Sequence, residues 1–149
     1  MGLDGKIYET EEASQFEISS DSEEYLKVSY FRAIIYSQPM ETDFSNFANL
    51  DVRIGTIIKA EPAQTNKPTY RMTIDFGSEI GTKISCGAYT NYLIDSLPGK
   101  RVVGIVNFAP RKMGPELSEI LVLGVHDPNS SGTLFLTVDK KAPNGSKIF

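Results

Sequence analysis

Few residues in this chain have bond-making chemistry to offer. Cys86 and His126 are the only cysteine and the only histidine in 149 residues. An intrachain disulfide and a multi-cysteine metal site are therefore excluded. A Cys–His nucleophilic pair would need the two to meet in space, and His126 falls beside a turn signal with no sequence link to Cys86. Asp75 and Glu79 lack accompanying acid–base partners, and no glycine-rich loop precedes a helix to cradle a phosphate. No catalytic residue, metal or cofactor is predicted. What remains is Phe108 to Glu119, FAPRKMGPELSE, with two prolines, a glycine, two adjacent cations, a methionine and a Ser-Glu pair. A connection of about a dozen residues in a compact domain is often functional, so this loop is expected to be the working surface.

The loop suits two kinds of partner. RNA requires cations along a phosphate path and flat or polarisable surfaces for exposed bases. Arg71, Lys83, Arg111 and Lys112 offer the charge, and Phe108 and Met113 the contact surface. The competing reading has Glu116 and Glu119 neutralise the loop and Phe108 enter the core. A polypeptide requires an apolar cleft with a polar rim, and methionine packs promiscuously because it is flexible and polarisable. Met113 between prolines fits that, or fills a gap in the core. Ser118 and Glu119 are expected to make a local hydrogen-bonded turn, and Asn107 to orient the loop backbone or touch a ligand. A strand edge could also pair with an extended peptide, against which Lys59, Pro62 and Pro68 look protective.

The apolar runs flanking the loop, Val102 to Asn107 and Ile120 to Val125, read as paired buried strands, each with a bulge or bend at its glycine, Gly104 or Gly124. Asp51 to Glu61 is a first strand, with Val52, Ile54, Thr56 and Ile58 on one face. In the second strand Tyr70, Met72, Ile74 and Phe76 alternate cleanly with polar residues, and Gly77 and Gly81 bracket the turn that follows. Lys83 to Gly87 is a third strand. Tyr89, Leu93 and Leu97 at four-residue spacing predict a short helix closed by Pro98-Gly99. A turn at Asp127 to Gly132, a strand at Thr133 to Val138 and a Pro143-Asn144-Gly145 turn complete the chain. Phe44, Phe47 and Leu50, behind the capping residues Thr42 and Asp43, predict a helical turn that plugs an open end of the domain.

Three short strands before one helix argue against a doubly wound parallel sheet. A ferredoxin-like order fails because only a proline-bearing loop follows the first strand. The prediction is an all-β, five-stranded OB-fold Greek-key barrel with a short helix between strands 3 and 4, an N-terminal helical turn and an extra terminal strand.

With 40% apolar and 10% aromatic residues the chain builds one ordinary core. Residues 1–43 carry three cations against ten acids, net −7, leaving twelve cations and nine acids, net +3, for residues 44–149. The acidic first part, 1–43, is expected to be an extension: a solvated arm over residues 1–24, then YLKVSYFRAIIY, Tyr25 to Tyr36, as an added strand in need of a partner. Met40 would make a natural start for the compact domain of residues 44–149, so the preceding residues are either a genuine extension or the result of a mis-set start codon. No apolar run reaches the length of a membrane span, and the acidic N-terminus is unlike a targeting peptide. The expectation is a soluble, cytoplasmic protein without membrane insertion.

Five blocks in order, FANLDVRIGTI, KPTYRMTIDFG, KISCGAY, VVGIVNFAPRKMGPELSEILVLG and VDKKAPNGSKI, resemble the CsaA-type export-related chaperones. These are members of the tRNA-binding OB-fold superfamily that also supplies appended domains of some methionyl-tRNA synthetases. The resemblance covers Phe44 to Phe149. It implies a homodimer of OB-folds that binds tRNA or a similar structured RNA, and in the chaperone branch engages unfolded or exported polypeptides. By position it assigns the ligand-facing loop to Asn107, Phe108, Pro110, Arg111, Lys112, Met113, Ser118 and Glu119, with Lys83 and Ser85 on the facing strand. Cys86-Gly87-Ala88-Tyr89 departs from the family, in which a small residue followed by glutamine is common.

Overall fold

The computed structural model describes residues 41–149; the arm and added strand expected before Met40 lie outside the described residues. Nine strands follow a short helix α1 (Phe44–Ala48): β1 (Val52–Pro62), β2 (Tyr70–Asp75), β3 (Thr82–Gly87), β4 (Arg101–Ile105), β5 (Arg111–Met113), β6 (Glu116–Ser118), β7 (Leu121–Val122), β8 (Gly124–His126) and β9 (Thr133–Phe135). The main sheet is antiparallel in the order β3-β2-β1-β4-β7, and β5-β6 and β8-β9 form two hairpins. Curling of this sheet gives a nearly closed five-stranded barrel, the OB-fold arrangement predicted.

The barrel interior follows from alternation. Met72, Ile74 and Phe76, every second residue of β2 and just beyond it, are fully buried with Ile57, Leu97 and Val102. The Phe76 ring sits where Gly55 and Gly104 lack side chains: a Cβ on Gly55 would lie 2.8 Å from the ring, and one on Gly104 3.1 Å. Gly104 therefore makes no bulge. It pairs in register with Arg53 and Val122, and its role is clearance.

A second apolar layer lies on the other face of the β1–β4 pair. Val52, Ile54, Val103 and Ile105 pack there under Leu50, Leu123, Val138 and Ile148. The C-terminal residues also pair with the free edge of β1. Gly145 N–H donates to Ile54 C=O (2.8 Å), Ile54 N–H to Ser146 C=O (3.0 Å) and Ile148 N–H to Val52 C=O (2.9 Å).

Several local expectations are corrected. Strict alternation along β1 fails at Ile58, which is the extra residue of a bulge between Ile57 and Lys59. Ile57 turns inward and Ile58 stays exposed. The four-residue spacing of Tyr89, Leu93 and Leu97 does not make an α-helix. Only a 3-10 turn forms at Ile94–Ser96. Tyr89 and Leu97 are buried while Leu93 is exposed, because so short a stretch before Pro98 cannot repay helix nucleation. The run after Ile120 is divided between β7, paired with β4, and β8, paired with β9. His126 is the last residue of β8, and β9 ends at Phe135, short of Val138. Helix α1 forms with the predicted cap, Ser45 N–H donating to Asp43 Oδ1 at 2.7 Å, but it plugs nothing. Phe44 is 75% exposed and Phe47 38%, because a helix this short brings only Leu50, just past its end, onto the outer layer.

Candidate nucleic-acid interface

The barrel closes between β3 and the chain that carries β6 into β7, and it closes largely through side chains. Glu119 N–H donates to Ile84 C=O at 2.8 Å, and the Glu119 carboxylate accepts Ile84 N–H at 2.8 Å. The Ser118 hydroxyl accepts Cys86 N–H at 3.1 Å and donates to Ile120 C=O at 3.1 Å. Ser118 and Glu119 thus occupy the β3 edge as a neighbouring strand would, which blunts it as a template for a foreign strand. Only the Ser118 bond to Ile120 is local; the other bonds of Ser118 and Glu119 reach across to β3 instead of closing the local turn expected of them.

Beside this seam lies a groove of about 590 Å³. Its base is Tyr89, Ile120 and Val122; Ser85, Cys86 and Gly87 form one wall, and Phe108, Arg111 and Met113 the other. Tyr89 is 4% exposed, stacks on Phe135 at 3.9 Å between ring centroids and donates its phenol proton to Val122 C=O at 3.1 Å. Burial pushes its pKa well above the ordinary tyrosine value. Ser85 is buried, its hydroxyl 3.5 Å from the Ile120 carbonyl.

The segment expected to be a loop is a hairpin. Arg111, Lys112 and Met113 pair with Ser118, Leu117 and Glu116, and Gly114 turns the chain at φ +64°, a backbone region that glycine enters without a Cβ penalty. Strand alternation sends Arg111 and Met113 to the groove, whereas Lys112 stands on the opposite face beside exposed Leu117. Phe108 is 44% exposed at the groove mouth instead of entering the core. Pro110 is exposed at the hairpin's start. Asn107 braces the hairpin's base, its amide accepting from Asp51 N–H and donating to Asn49 C=O, both at 2.8 Å.

Glu116 fastens the hairpin to the β1–β2 side. Its carboxylate accepts Gln64 N–H at 3.0 Å and lies 3.3 Å from Arg71 Nε. Arg71 also pairs with Glu61 at 3.0 Å, so two carboxylates share its charge. By contrast, Lys83, Arg111 and Lys112 form no ion pair among the described residues. Lys83 lies on β3 opposite Ile74 and outside the groove. The structure therefore gathers Ser85, Phe108, Arg111, Met113 and Ser118 at the groove, with Glu119 bracing the seam, and sets Arg71, Lys83, Asn107, Pro110 and Lys112 apart from it.

Cys86 borders the groove as a thiol. Burial, and then the negative charge of Glu116, push its pKa up against the opposing pull of Arg71, which lowers its nucleophilicity at neutral pH. No hydrogen bond joins it to His126 among the described residues. Those residues also contain no cluster of three or more His, Cys, Asp or Glu able to hold a metal, and no helix long and apolar enough to cross a membrane. Residue spacing gave no hint of Tyr89, Ile120 and Val122 as the groove's base. One signal was present in the sequence, Gly87 two residues before Tyr89: a Cβ there would meet the tyrosine ring at 2.7 Å.

A family profile described as "Putative tRNA binding domain" matches residues 52–147. The chain belongs to that family. This tRNA-binding domain is similar to the solved chaperone CsaA of Bacillus anthracis, at 38% identity and a TM-score of 0.69, over 74% of this chain and 100% of that one. It is likewise similar to CsaA of Picrophilus torridus, at 35% identity and a TM-score of 0.68, over 73% and 100%. Among curated relatives, the methionine–tRNA ligase of Methanocaldococcus jannaschii is 33% identical over 108 residues. That match takes in 72% of this chain and only 16% of the ligase, so the tRNA-binding domain corresponds to a small part of a much longer enzyme. The resemblance read from the five sequence blocks is borne out, and the domain is CsaA-like.

Proposed function

We propose that residues 44–149 bind tRNA, or an RNA of similar structure, without catalysis, and that residues 1–43 form an acidic extension to this binding domain. One observation carries the reading: the seam groove is lined by β3, a strand of the sheet face on which OB-folds take oligonucleotides, and by the hairpin, and the hairpin presents Arg111 and Lys112 without carboxylate partners among the described residues. Arg111 reaches for a phosphate at the groove, Phe108 offers a face for a base, and Lys112 meets the backbone from the outer side. Arg71 is held back by Glu61 and Glu116, so it fixes the hairpin more than it grips RNA. A net charge of only +3 over residues 44–149 favours a homodimer in which two mildly basic faces share one RNA. The exposed Phe44–Phe47 ring pair, 5.9 Å between centroids, is an apolar surface suited to a second copy. RNA binding fits a cytoplasmic site of action.

The double variant Arg111→Ala/Lys112→Ala is expected to lose tRNA binding while its thermal melt stays unchanged. For the parent, log affinity should fall linearly with log salt, at roughly 0.7–0.9 per phosphate contact. A gel-shift titration in which the double variant matches the parent would sink this reading.

The apolar base of the groove supports a second reading, capture of unfolded or exported polypeptides, in keeping with the CsaA chaperones the domain resembles. Met113 on the groove wall is the residue suited to varied apolar clients. Met113→Asp should weaken suppression of aggregation of a denatured test protein, and this activity should hardly respond to salt. Suppression equal to the parent's counts against the groove as the client site.

A further inference from the structure

A second recess, of about 490 Å³, lies away from the groove, between Thr56 on β1, Arg101 at the start of β4 and the Lys141–Asn144 turn. It shares no lining residue with the groove. Arg101 begins β4 at the end away from Ile105, which pairs with the groove residue Leu121. Four residue steps at the rise of a strand put about 13 Å between those two positions.

The two ionisable residues lining the recess, Arg101 and Lys141, are both cations. Neither has an ion-pair partner among the described residues. The Arg101 guanidinium is partly buried; one terminal nitrogen donates to the Ala142 carbonyl, and its Nε is fully buried without a hydrogen-bond partner. Withdrawing a guanidinium from water without a counter-charge is unfavourable unless something negative compensates it. Asp75, across Thr56 in the sheet, is already engaged: its carboxylate accepts from Gly77 N–H at 2.8 Å and from the Asn144 side-chain amide at 3.1 Å. Asn144 also accepts the Thr56 hydroxyl at 2.8 Å. That network fixes the far wall of the recess and holds the Asp75 carboxylate on neutral donors, with no ion pair to Arg101 or Lys141 among the described residues.

We propose that this recess is a second anion site that takes a phosphate group, with Arg101 and Lys141 as its ligands. With Nε buried and one terminal nitrogen given to Ala142, the remaining terminal nitrogen of Arg101 and the Lys141 ammonium are the cationic donors left for phosphate oxygens. Its occupant is a backbone phosphate of the same RNA that lies in the groove, a choice that rests on the tRNA-binding reading; free phosphate would bring the same chemistry.

The test uses the full chain. Inorganic phosphate is titrated against chloride at constant ionic strength while the backbone amide signals of Thr56, Ala142 and Asn144 are followed by NMR; in parallel, tRNA affinity is measured across a salt series. Lys141 is exposed, so Lys141→Gln tests the site without the folding risk of replacing Arg101, and Lys140→Gln, one residue away and outside the recess, is the control for diffuse charge. Phosphate is expected to shift the three amides of the parent and not those of Lys141→Gln. Lys141→Gln should lower the log–log salt slope for tRNA by about 0.7–0.9, the loss of one phosphate contact, and Lys140→Gln should leave it unchanged. Phosphate-dependent shifts with an unaltered tRNA slope, or with no tRNA binding at all, would keep the site and assign it to free phosphate, whatever becomes of the tRNA reading. Amides unmoved by phosphate, or an equal loss from Lys140→Gln, would overturn the proposal.

Discussion

The barrel has two flanks where a strand edge must be covered, and it covers them differently. On the β1 flank, residues 145–148 supply backbone N–H and C=O groups and lay Ile148 onto an apolar layer. At the β3 seam the partners are largely side chains, Ser118 and Glu119, and a groove remains beside them. Closure by backbone brings two chains to strand spacing over residues 145–148 and leaves a recess only beyond that stretch, at the Lys141–Asn144 turn. Closure by side chains holds them farther apart. The first arrangement serves stability, and the second trades some packing for a surface that can hold something.

The sharpest way to break that contrast is to damage the sealed flank. Ile54, 2% exposed in the outer layer, loses about 2–5 kcal/mol as Ile54→Ala; a denaturant melt should show this while the folded fraction binds tRNA as before. A fall in affinity of the folded protein would mean that the flank serves the ligand too.

At the seam, Glu119→Ala removes the acceptor of the Ile84 amide, at a cost of about 1–3 kcal/mol. Here tRNA affinity should drop along with the melting temperature, because the groove wall and the hairpin move together. Glu119→Gln keeps an acceptor oxygen and should lie between the two. Affinity untouched in Glu119→Ala would remove the link between closure and binding.

The smallest effect is expected at the base of the groove. Tyr89→Phe loses the hydrogen bond to Val122, about 0.5–1.5 kcal/mol. In the parent, burial keeps this phenol neutral in the folded state above the pH, about 10, at which an unfolded tyrosine ionises. The unfolded chain then binds fewer protons than the folded one, so stability present below that pH declines above it. Tyr89→Phe should flatten this alkaline decline in melts taken between pH 9 and 11; an unchanged slope would mean that the ring is less sealed than its position implies.

What could be read in advance follows the range of the forces involved. The β2 face of Met72, Ile74 and Phe76 was plain because each residue's burial is set by its own alternation. The hairpin around Gly114 was not, since its two short strands are largely wet on both faces and its prolines mask a strand pattern. Ile57 and Ile58 are equally apolar, so nothing local decides which one turns inward; the register with β2 decides it. The groove's base was hidden for the same reason. Tyr89, Ile120 and Val122 meet only once β3 and β7 are brought side by side, and no spacing along the chain encodes that meeting. The cation expected at Arg71 was visible, whereas its capture by Glu61 and Glu116 depends on three separate elements coming together.

The extra residue at Ile58 has a consequence for how the cylinder keeps its curvature. Ile57 faces Ile74 and Ala60 faces Met72, both pairs pointing inward. Removing Ile58 would leave each remaining side chain of the strand on the side it already occupies. Only the bend and added coil that such an insertion gives a strand would disappear. Deletion of this one residue therefore separates shape from composition: every apolar contact partner would still be encoded, but the strand that wraps from the sealed flank round to β2 would run straighter and carry β3 away from the hairpin it has to meet.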